Sequence, residues 1–264
     1  AIAIGHPLGC SGARLVVTDL KTREHLQRNI QVLDKLHARL KKKDPSLKPI
    51  RYILGRHREE DLVNTDLVVR NPSVPNRSKY LELARRHNVP IETDISLFFQ
   101  RCPAKIIGIT GTRGKSTTTA LIYEMLKTWL DSSSKGPYGK SRQRVFLGGN
   151  ILNSPLNFLA KVRPTDRVVL ELSSWQTESL IPIKSSPHIA VITNIYPDHL
   201  NTYDGMADYA AAKEAIFAFQ KPQDFSVLNR DNDYTEQMGQ RVKSKRFWFA
   251  TGNRGDSQNQ AYIK

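Results

Sequence analysis

The sequence predicts an α/β chain of two units, each built on a mainly parallel sheet. Three observations carry this. Short apolar runs alternate with helical periods almost throughout, the rhythm of strand–helix–strand crossovers. Two of these runs, Val168–Leu172 and Ile189–Asn194, are nearly continuous, as in strands covered on both faces. A glycine-rich stretch at 108–116 lies between a strand pattern and a helix pattern.

Taken in order, Ala13–Thr18 reads as a buried strand ending at Asp19. From Glu24 to Leu40, Leu26, Ile30, Leu33, Leu36 and Leu40 recur at helical spacing, a stripe that faces a core. KKKDPSLKP then predicts a solvated loop that ends this helix. Tyr52–Leu54 and Leu67–Val69 are short strands, and the prolines of Asn71-Pro72-Ser73-Val74-Pro75 make that segment a loop. Lys79–His87 is a helix and Ile91–Thr93 a strand, closing a first unit at the Arg101-Cys102-Pro103 junction. A second unit has strands at Ile106–Thr110, Val168–Leu172, Ile189–Asn194, Ser226–Leu228 and Arg246–Phe249, with helices at Lys115–Leu130 and Ala207–Phe219. Asp131–Ser141 is a polar Gly/Pro/Ser-rich loop, expected to be mobile.

Hydrophobic residues at 39% and charged residues at 25% exclude a disordered or collagen-like chain. No apolar run approaches the roughly eighteen residues of a membrane span. AIAIGHPLGC has neither the basic start nor the apolar stretch of a signal peptide. Cys10 and Cys102 are too few for a disulfide scaffold and lack metal-ligand spacing, so a cytoplasmic protein is expected. The net charge of +15 divides into +8 over residues 1–102 and +7 over 103–264. That even spread argues against a nucleic-acid face and for a basic surface that attracts anionic substrates.

Gly108-Ile109-Thr110-Gly111-Thr112-Arg113-Gly114-Lys115-Ser116 follows an apolar strand and opens a helix. Glycines let the backbone curl so that N–H groups meet phosphate oxygens, and the helix N-terminus adds a favourable dipole. Lys115 would reach the β- and γ-phosphates, and the Ser116 hydroxyl would ligate Mg²⁺. The spacing departs from G-x-x-x-x-G-K-[ST], because Ile109 stands at the first glycine position. An ordinary glycine-rich turn is the alternative, disfavoured by Gly-Lys-Ser at a helix start. Such a loop specifies a nucleoside triphosphate and not a reaction.

Glu171 ends an apolar strand, where a carboxylate is costly unless paired or bound to metal. At the C-terminal edge of a parallel sheet it faces the phosphate loop. It reads as a Mg²⁺ ligand, with a buried hydrogen-bonded carboxylate as the alternative. Asp198 and His199 lie on a loop at the same edge, where His199 alone is as easily structural. Lys213, in DYAAAKEAIF, reads alone as a solvated helix lysine in an ion pair.

Together, GITGTRGKSTTTALI, GGNI at 148–151, LELSSWQTE and TNIYPDHLNTYDGMADYAAAKEAIF resemble the Mur ligase family in order and context. The family's T-G-T-x-G-K-[ST] loop accounts for the unusual glycine spacing. VVTDLKT, LVVRNPSVP and IETDISLFF are similar to the uridine-nucleotide-binding domain of the members that add D-glutamate to UDP-N-acetylmuramoyl-L-alanine. The resemblance implies a small Rossmann-like domain over 1–102, N-terminally incomplete, and a central P-loop ATPase-type domain over 103–264. The family's C-terminal amino-acid-binding domain would be absent, so this chain alone is expected not to complete turnover.

The implied reaction is ATP-dependent amide-bond formation through an acyl phosphate, in peptidoglycan precursor synthesis, by a monomer that binds neither membrane nor nucleic acid. By the same resemblance, Gly111, Thr112, Arg113, Gly114, Lys115, Ser116 and Thr117 bind ATP, with Asn229 and Asp231 near the nucleotide. Ser116 and Glu171 serve one Mg²⁺. His199 serves a second with Lys213, the position that is carbamylated in the family. Lys115, His199 and Lys213 are the implied catalytic residues. Asn150, Ser173 and Gln176 match positions lining the muramoyl-alanine region. Asp19, Leu20 and Lys21 match the loop near uracil, and Asn71, Pro72 and Ser73 the loop near the diphosphate. Arg113 stands where Asn or another polar residue is usual. Another amide ligase of the superfamily, or a noncatalytic basic P-loop module on nucleic acid, are the alternatives.

Overall fold

The computed structural model describes residues 14–71, 74–133, 143–151, 153–252 and 260–262. Cys10, Ala13, Pro72, Ser73 and positions 134–141 of the loop expected over 131–141 lie outside the described residues, while 131–133 instead end a helix that begins at Lys115. The chain divides into two compact units, Ala1–Asp94 and Ile95–Lys264. The boundary falls ahead of the junction expected at 101–103, because an eight-residue helix there, with Ile95, Leu97 and Phe98 buried, belongs to the second unit.

The first unit runs β1 (Val16–Asp19), α1 (Arg23–Lys43), β2 (Arg51–Leu54), α2 (Glu59–Val63), β3 (Val68–Val69), α3 (Lys79–Arg86) and β4 (Ile91–Glu92). Its strands form two parallel pairs, β1 with β2 and β3 with β4, with Val17 opposite Tyr52 and Val68 opposite Ile91. Leu62, Val68, Leu81, Ala84 and Val89 pack as one core cluster.

Helix α1 departs from the sequence reading in two ways. It continues through Lys41, Lys42 and Lys43 instead of stopping before them. Lysine is a good helix former, and cations in a last turn face the carbonyl end of the helix dipole. It ends at Asp44, whose backbone is extended as Pro45 requires. The stripe is also buried only at Leu26 and Ile30, while Leu36 is exposed.

The second unit begins with α4 (Asp94–Arg101), from Ile95 onward. It continues with β5 (Lys105–Thr110), α5 (Lys115–Ser133), β6 (Val145–Gly149), α6 (Leu156–Leu159), β7 (Arg167–Glu171) and α7 (Ser174–Glu178). Then come β8 (Ile189–Ile192), α8 (Met206–Glu214), β9 (Phe225–Asn229), α9 (Asp233–Gly239), β10 (Lys245–Ala250) and β11 (Gln260–Tyr262). The seven strands lie in the order β11-β10-β9-β8-β5-β7-β6, and every pairing is parallel. One face carries the main core, including Phe98, Leu170, Ile192, Tyr209, Ile216 and Leu228. The other carries Ile107, Ile109, Val169 and Val191, against which Ile122 and Leu126 of α5 pack. Past α5 this face opens as an apolar groove of about 710 Å³ that reaches from Met125, Val191 and Val227 to the start of α5 at Gly114. No helix among the described residues is long and apolar enough to cross a membrane.

Strand order reverses at β5, which pairs with β7 on one side and β8 on the other. Ligands of open parallel sheets sit at such a point, outside the strands' C-terminal ends. The loops after β5, β6, β7 and β8 therefore converge there.

The edge at β6 and β7 is pinned from below by Asp166. Its buried carboxylate accepts hydrogen bonds from the Arg144 N–H (2.9 Å), the Arg163 N–H (2.9 Å) and the Arg144 guanidinium (2.8 Å). Burial pushes its pKa up, but these bonds and the Arg144 charge together hold it below the ordinary carboxylate value. Asp166→Ala strands these donors, so a stability loss of about 3 kcal/mol in urea unfolding is expected.

Candidate functional site

Between β5 and α5 the chain turns through Gly111 at φ +145°, a backbone that only glycine adopts readily. A side chain there would also overlap Thr193 Oγ1. The turn is tied to the residues that follow β8. The Thr112 N–H donates to the Asn194 carbonyl (2.9 Å), and the Arg113 N–H donates to Asn194 Oδ1 (2.9 Å). The Arg113 carbonyl accepts from Thr193 Oγ1 (2.7 Å) and Asn194 Nδ2 (3.1 Å). Thr112 Oγ1 accepts from the Tyr196 N–H (3.0 Å) and lies 3.2 Å from the Tyr209 hydroxyl.

The amides of Thr112 and Arg113, read from the sequence as phosphate donors, are thus already bonded inside the protein. The N–H groups of Lys115, Ser116 and Thr117 open α5 and have no intrahelical acceptor. They are the donors this turn offers to an anion. Lys115 Nζ is folded onto the Thr112 carbonyl at 3.0 Å.

Glu171 ends β7 with 2% of its surface exposed. Its two carboxylate oxygens accept from Ser116 Oγ (2.7 Å) and Asn150 Nδ2 (2.8 Å). The Asn150 N–H donates to the Glu171 carbonyl (2.9 Å). Gly149, at φ +94°, lets the β6 loop lie against that carbonyl, where a Cβ would collide. The neighbours of this carboxylate are neutral donors, an arrangement that a hard cation would complete. Among the described residues no three His, Cys, Asp or Glu side chains gather as a metal cage. The donor set at Ser116 and Glu171 therefore fits Mg²⁺, which takes one or two protein oxygens and fills its shell with phosphate and water.

Lys213, on α8, is 2% exposed, unlike the solvated helix lysine its local sequence suggests. Its ammonium donates to the Gly111 carbonyl (2.9 Å) and lies 4.8 Å from the Tyr209 ring centre. Burial brings its pKa from 10.5 to about 7, the charge of Lys115 acts the same way, and Asp198 opposes both. His199 is exposed and left-handed (φ 53°), 4.8 Å from the Trp175 ring and 6.2 Å from the Tyr209 ring. Its Nε2 is 3.5 Å from Asp198 Oδ2. Tyr209, missed in the sequence, is thus in contact with the ring of His199, the amine of Lys213 and the hydroxyl of Thr112.

Other expected site residues are engaged in local structure. Ser173 and Gln176 form the capping box of α7, with a 3.0 Å bond from the Ser173 N–H to Gln176 Oε1. Asn229 Nδ2 donates to the Thr193 carbonyl (3.0 Å), and Asp231 accepts from the Thr251 hydroxyl (2.8 Å). In the first unit, Asp19 accepts from the Lys21 N–H (2.8 Å) in a turn at the end of β1, with Leu20 exposed. Asn71 lies just past β3, and its carbonyl accepts from the Val74 N–H (3.0 Å). Asn194 also escaped the sequence reading as a site residue; its one signal is a polar residue closing the apolar run Ile189–Asn194.

A family model, the Mur ligase middle domain, matches residues 109–263. A UDP-N-acetylmuramoylalanine–D-glutamate ligase from Roseiflexus sp. (strain RS-1) is 38% identical over 248 residues, covering 92% of this chain and 48% of the relative. The ligase of the same name from Borreliella afzelii (strain PKo) is 41% identical over 219 residues, covering 83% and 42%. The chain spans about half the length of these curated relatives. Among solved structures, the UDP-N-acetylmuramate:L-alanyl-γ-D-glutamyl-meso-diaminopimelate ligase from Neisseria meningitides superposes with a TM-score of 0.52. It is 14% identical and covers 90% of this chain and 72% of that one, a likeness of fold.

Proposed function

Because this chain belongs to the Mur ligase family, whose middle domain it carries, we propose that it serves ATP-dependent joining of D-glutamate to UDP-N-acetylmuramoyl-L-alanine. The observation that carries the reading is the convergence of Lys115, the Ser116–Glu171 pair and buried Lys213 on one turn at the C-terminal edge of the sheet. The acceptor and donor are taken from the relatives named for that reaction.

A carboxylate is a poor acyl donor at neutral pH. Transfer of the γ-phosphoryl group from ATP to the alanyl carboxylate yields ADP and an acyl phosphate. Attack by the D-glutamate amine then expels phosphate, with loss of a proton, and forms the amide. The difficulty lies in the negative charge that gathers on the phosphoryl oxygens. Lys115 and the N–H groups that open α5 meet that charge. Ser116 and Glu171 would hold Mg²⁺, which when bound screens the same oxygens. A second Mg²⁺ would take His199 and carbamylated Lys213. Supporting this, burial brings the Lys213 amine down to a pKa of about 7, so its neutral form is accessible near neutral pH. Only the neutral amine adds to CO₂, releasing a proton and leaving a carbamate anion. In the first unit, the turns at Asp19–Lys21 and Asn71 would receive the uridine nucleotide.

The test has two arms. Calorimetric binding of Mg-ATP should be lost by about 10- to 100-fold in Lys115→Ala, the value of a hydrogen bond to a charged group. Phosphate release by the complete reading frame, from Mg-ATP and UDP-N-acetylmuramoyl-L-alanine, should require D-glutamate in a panel of amino acids. Release with another acceptor discards the substrate assignment, and absence of Mg-ATP binding by the folded protein discards the reading.

A further inference from the structure

We infer that Asn194 is a positioning residue for nucleotide binding, whose carboxamide holds the phosphate loop in its ligand-receiving shape before any ligand arrives. The inference rests on the reading that this loop takes the phosphates of ATP. Ladder pairing of β8 with β5 ends at Ile192 opposite Thr110, followed by one more bond from the Thr193 N–H to the Thr110 carbonyl (3.0 Å). Beyond that point the loop leaves the sheet and needs another source of order. Asn194 supplies it with three contacts. Its carbonyl takes the Thr112 N–H, its Oδ1 takes the Arg113 N–H, and its Nδ2 donates to the Arg113 carbonyl.

Among side chains of this length, only a carboxamide offers an acceptor and a donor side by side, so only Asn clasps both polar groups of Arg113. The clasp turns the Thr112 and Arg113 amides into the protein. The amides of Lys115, Ser116 and Thr117, at the start of α5, stay outside the clasp.

The clasp is itself braced from β9 and the turn after it. Asn229 Nδ2 donates to the Thr193 carbonyl (3.0 Å). Asn232 grips the next peptide group in the same two-sided way. Its Oδ1 accepts from the Ile195 N–H (3.2 Å), and its Nδ2 donates to the Ile195 carbonyl (3.0 Å). Asn194 therefore sits between two residues whose backbones are fixed. This assigns Asn229 to support of the loop, beside the place near the nucleotide expected from the sequence.

The test compares Asn194→Ala and the isosteric Asn194→Asp with the unaltered protein. Two quantities are read: amide hydrogen exchange at Arg113 without ligand, and Mg-ATP affinity. Melting temperature monitors the fold. Asn194→Ala should speed Arg113 exchange and weaken Mg-ATP about 10- to 100-fold, with saturating Mg-ATP restoring the protection. Asn194→Asp keeps the acceptor for the Arg113 N–H but loses the donor and adds an anion beneath the phosphates. It should leave Arg113 more protected than in Asn194→Ala, yet weaken Mg-ATP at least as much. A merely structural role would lower the melting temperature of both variants without this split. Unchanged Arg113 exchange, or affinity within twofold of the unaltered protein in the folded Asn194→Asp variant, overturns the inference. If the unaltered protein fails to bind Mg-ATP, the nucleotide reading falls, and Arg113 exchange still decides whether Asn194 shapes the turn.

Discussion

Lys213→Met is expected to make the folded protein harder to unfold at pH 7 and, in the complete reading frame, to abolish the proposed ligase turnover. The amine is buried with the Gly111 carbonyl as its hydrogen-bond acceptor. Burial, helped by the Lys115 charge, lowers its pKa from 10.5 to about 7. At ~1.4 kcal/mol per pH unit, that corresponds to ~5 kcal/mol of strain against the charged form. Met removes the charge and keeps the volume, and loses a hydrogen bond of about 1 kcal/mol. A net gain of about 3 kcal/mol near neutral pH follows.

The sign can be checked by pH. Below pH 7 the lysine is charged in both the folded and the unfolded chain, and the whole penalty is present. Between pH 7 and 10.5 the unfolded chain binds more protons than the folded one, so wild-type stability rises with pH. Above 10.5 the lysine is neutral in both. Urea unfolding at pH 7, 8.5 and 10 in bicarbonate-free buffer should show the advantage of Lys213→Met shrinking steadily. Parallel curves for the two proteins would mean that Lys213 is not a buried, strained amine. In the complete reading frame, phosphate release should vanish in the variant at every pH, since no amine remains to form a carbamate.

Gly111→Ala is expected to cost more than about 100-fold in Mg-ATP affinity while leaving the sheet folded. Two effects combine. The φ of +145° is closed to alanine, and the new methyl overlaps Thr193 Oγ1 with the Asn194 backbone nitrogen and oxygen 3.2 Å away. The turn must move, and the Asn194 clasp and the Lys213–Gly111 bond move with it. Adding Thr193→Ala removes the overlap but not the backbone strain, so it should recover only a minor part of the loss. Binding within tenfold of the unaltered protein, measured by calorimetry on Gly111→Ala, would show that the turn has another shape.

Much of the second unit was legible because periodicity is a local property. β5, β7, β8, β9 and β10 match apolar runs to within a residue or two. β5, β7 and β8 are buried nearly throughout and admit few polar residues, while β9 and β10 bury alternate positions. Elements too short or too polar to show a period were missed. α7 is five residues, held by its capping box and by a bond from Thr177 Oγ1 to the Ala212 carbonyl (2.7 Å). α9 is seven residues and starts where Asn232 caps the Thr235 N–H. β6 ends in two glycines, which are poor strand formers, yet Gly149 is what lets that strand meet Glu171. In the first unit, the α1 pattern located the helix but not its end or the exposure of Leu36.

The α/β class, the glycine turn with Lys115 and Ser116, the acid at the end of a buried strand and the family are all legible in the residues alone. Each is written in contiguous residues whose chemistry is costly elsewhere: glycine where φ is positive, a carboxylate among apolar neighbours. That Lys213 is a buried amine and not a surface one, and that Asn194 holds Arg113 across 81 positions of sequence, follows from packing alone. A helical period tells which residues share a face, not what that face meets. The meeting is set by strand order. Parallel strands with β5 at the reversal gather distant loops at one edge, and burial at that edge changes the chemistry of whatever side chain arrives there.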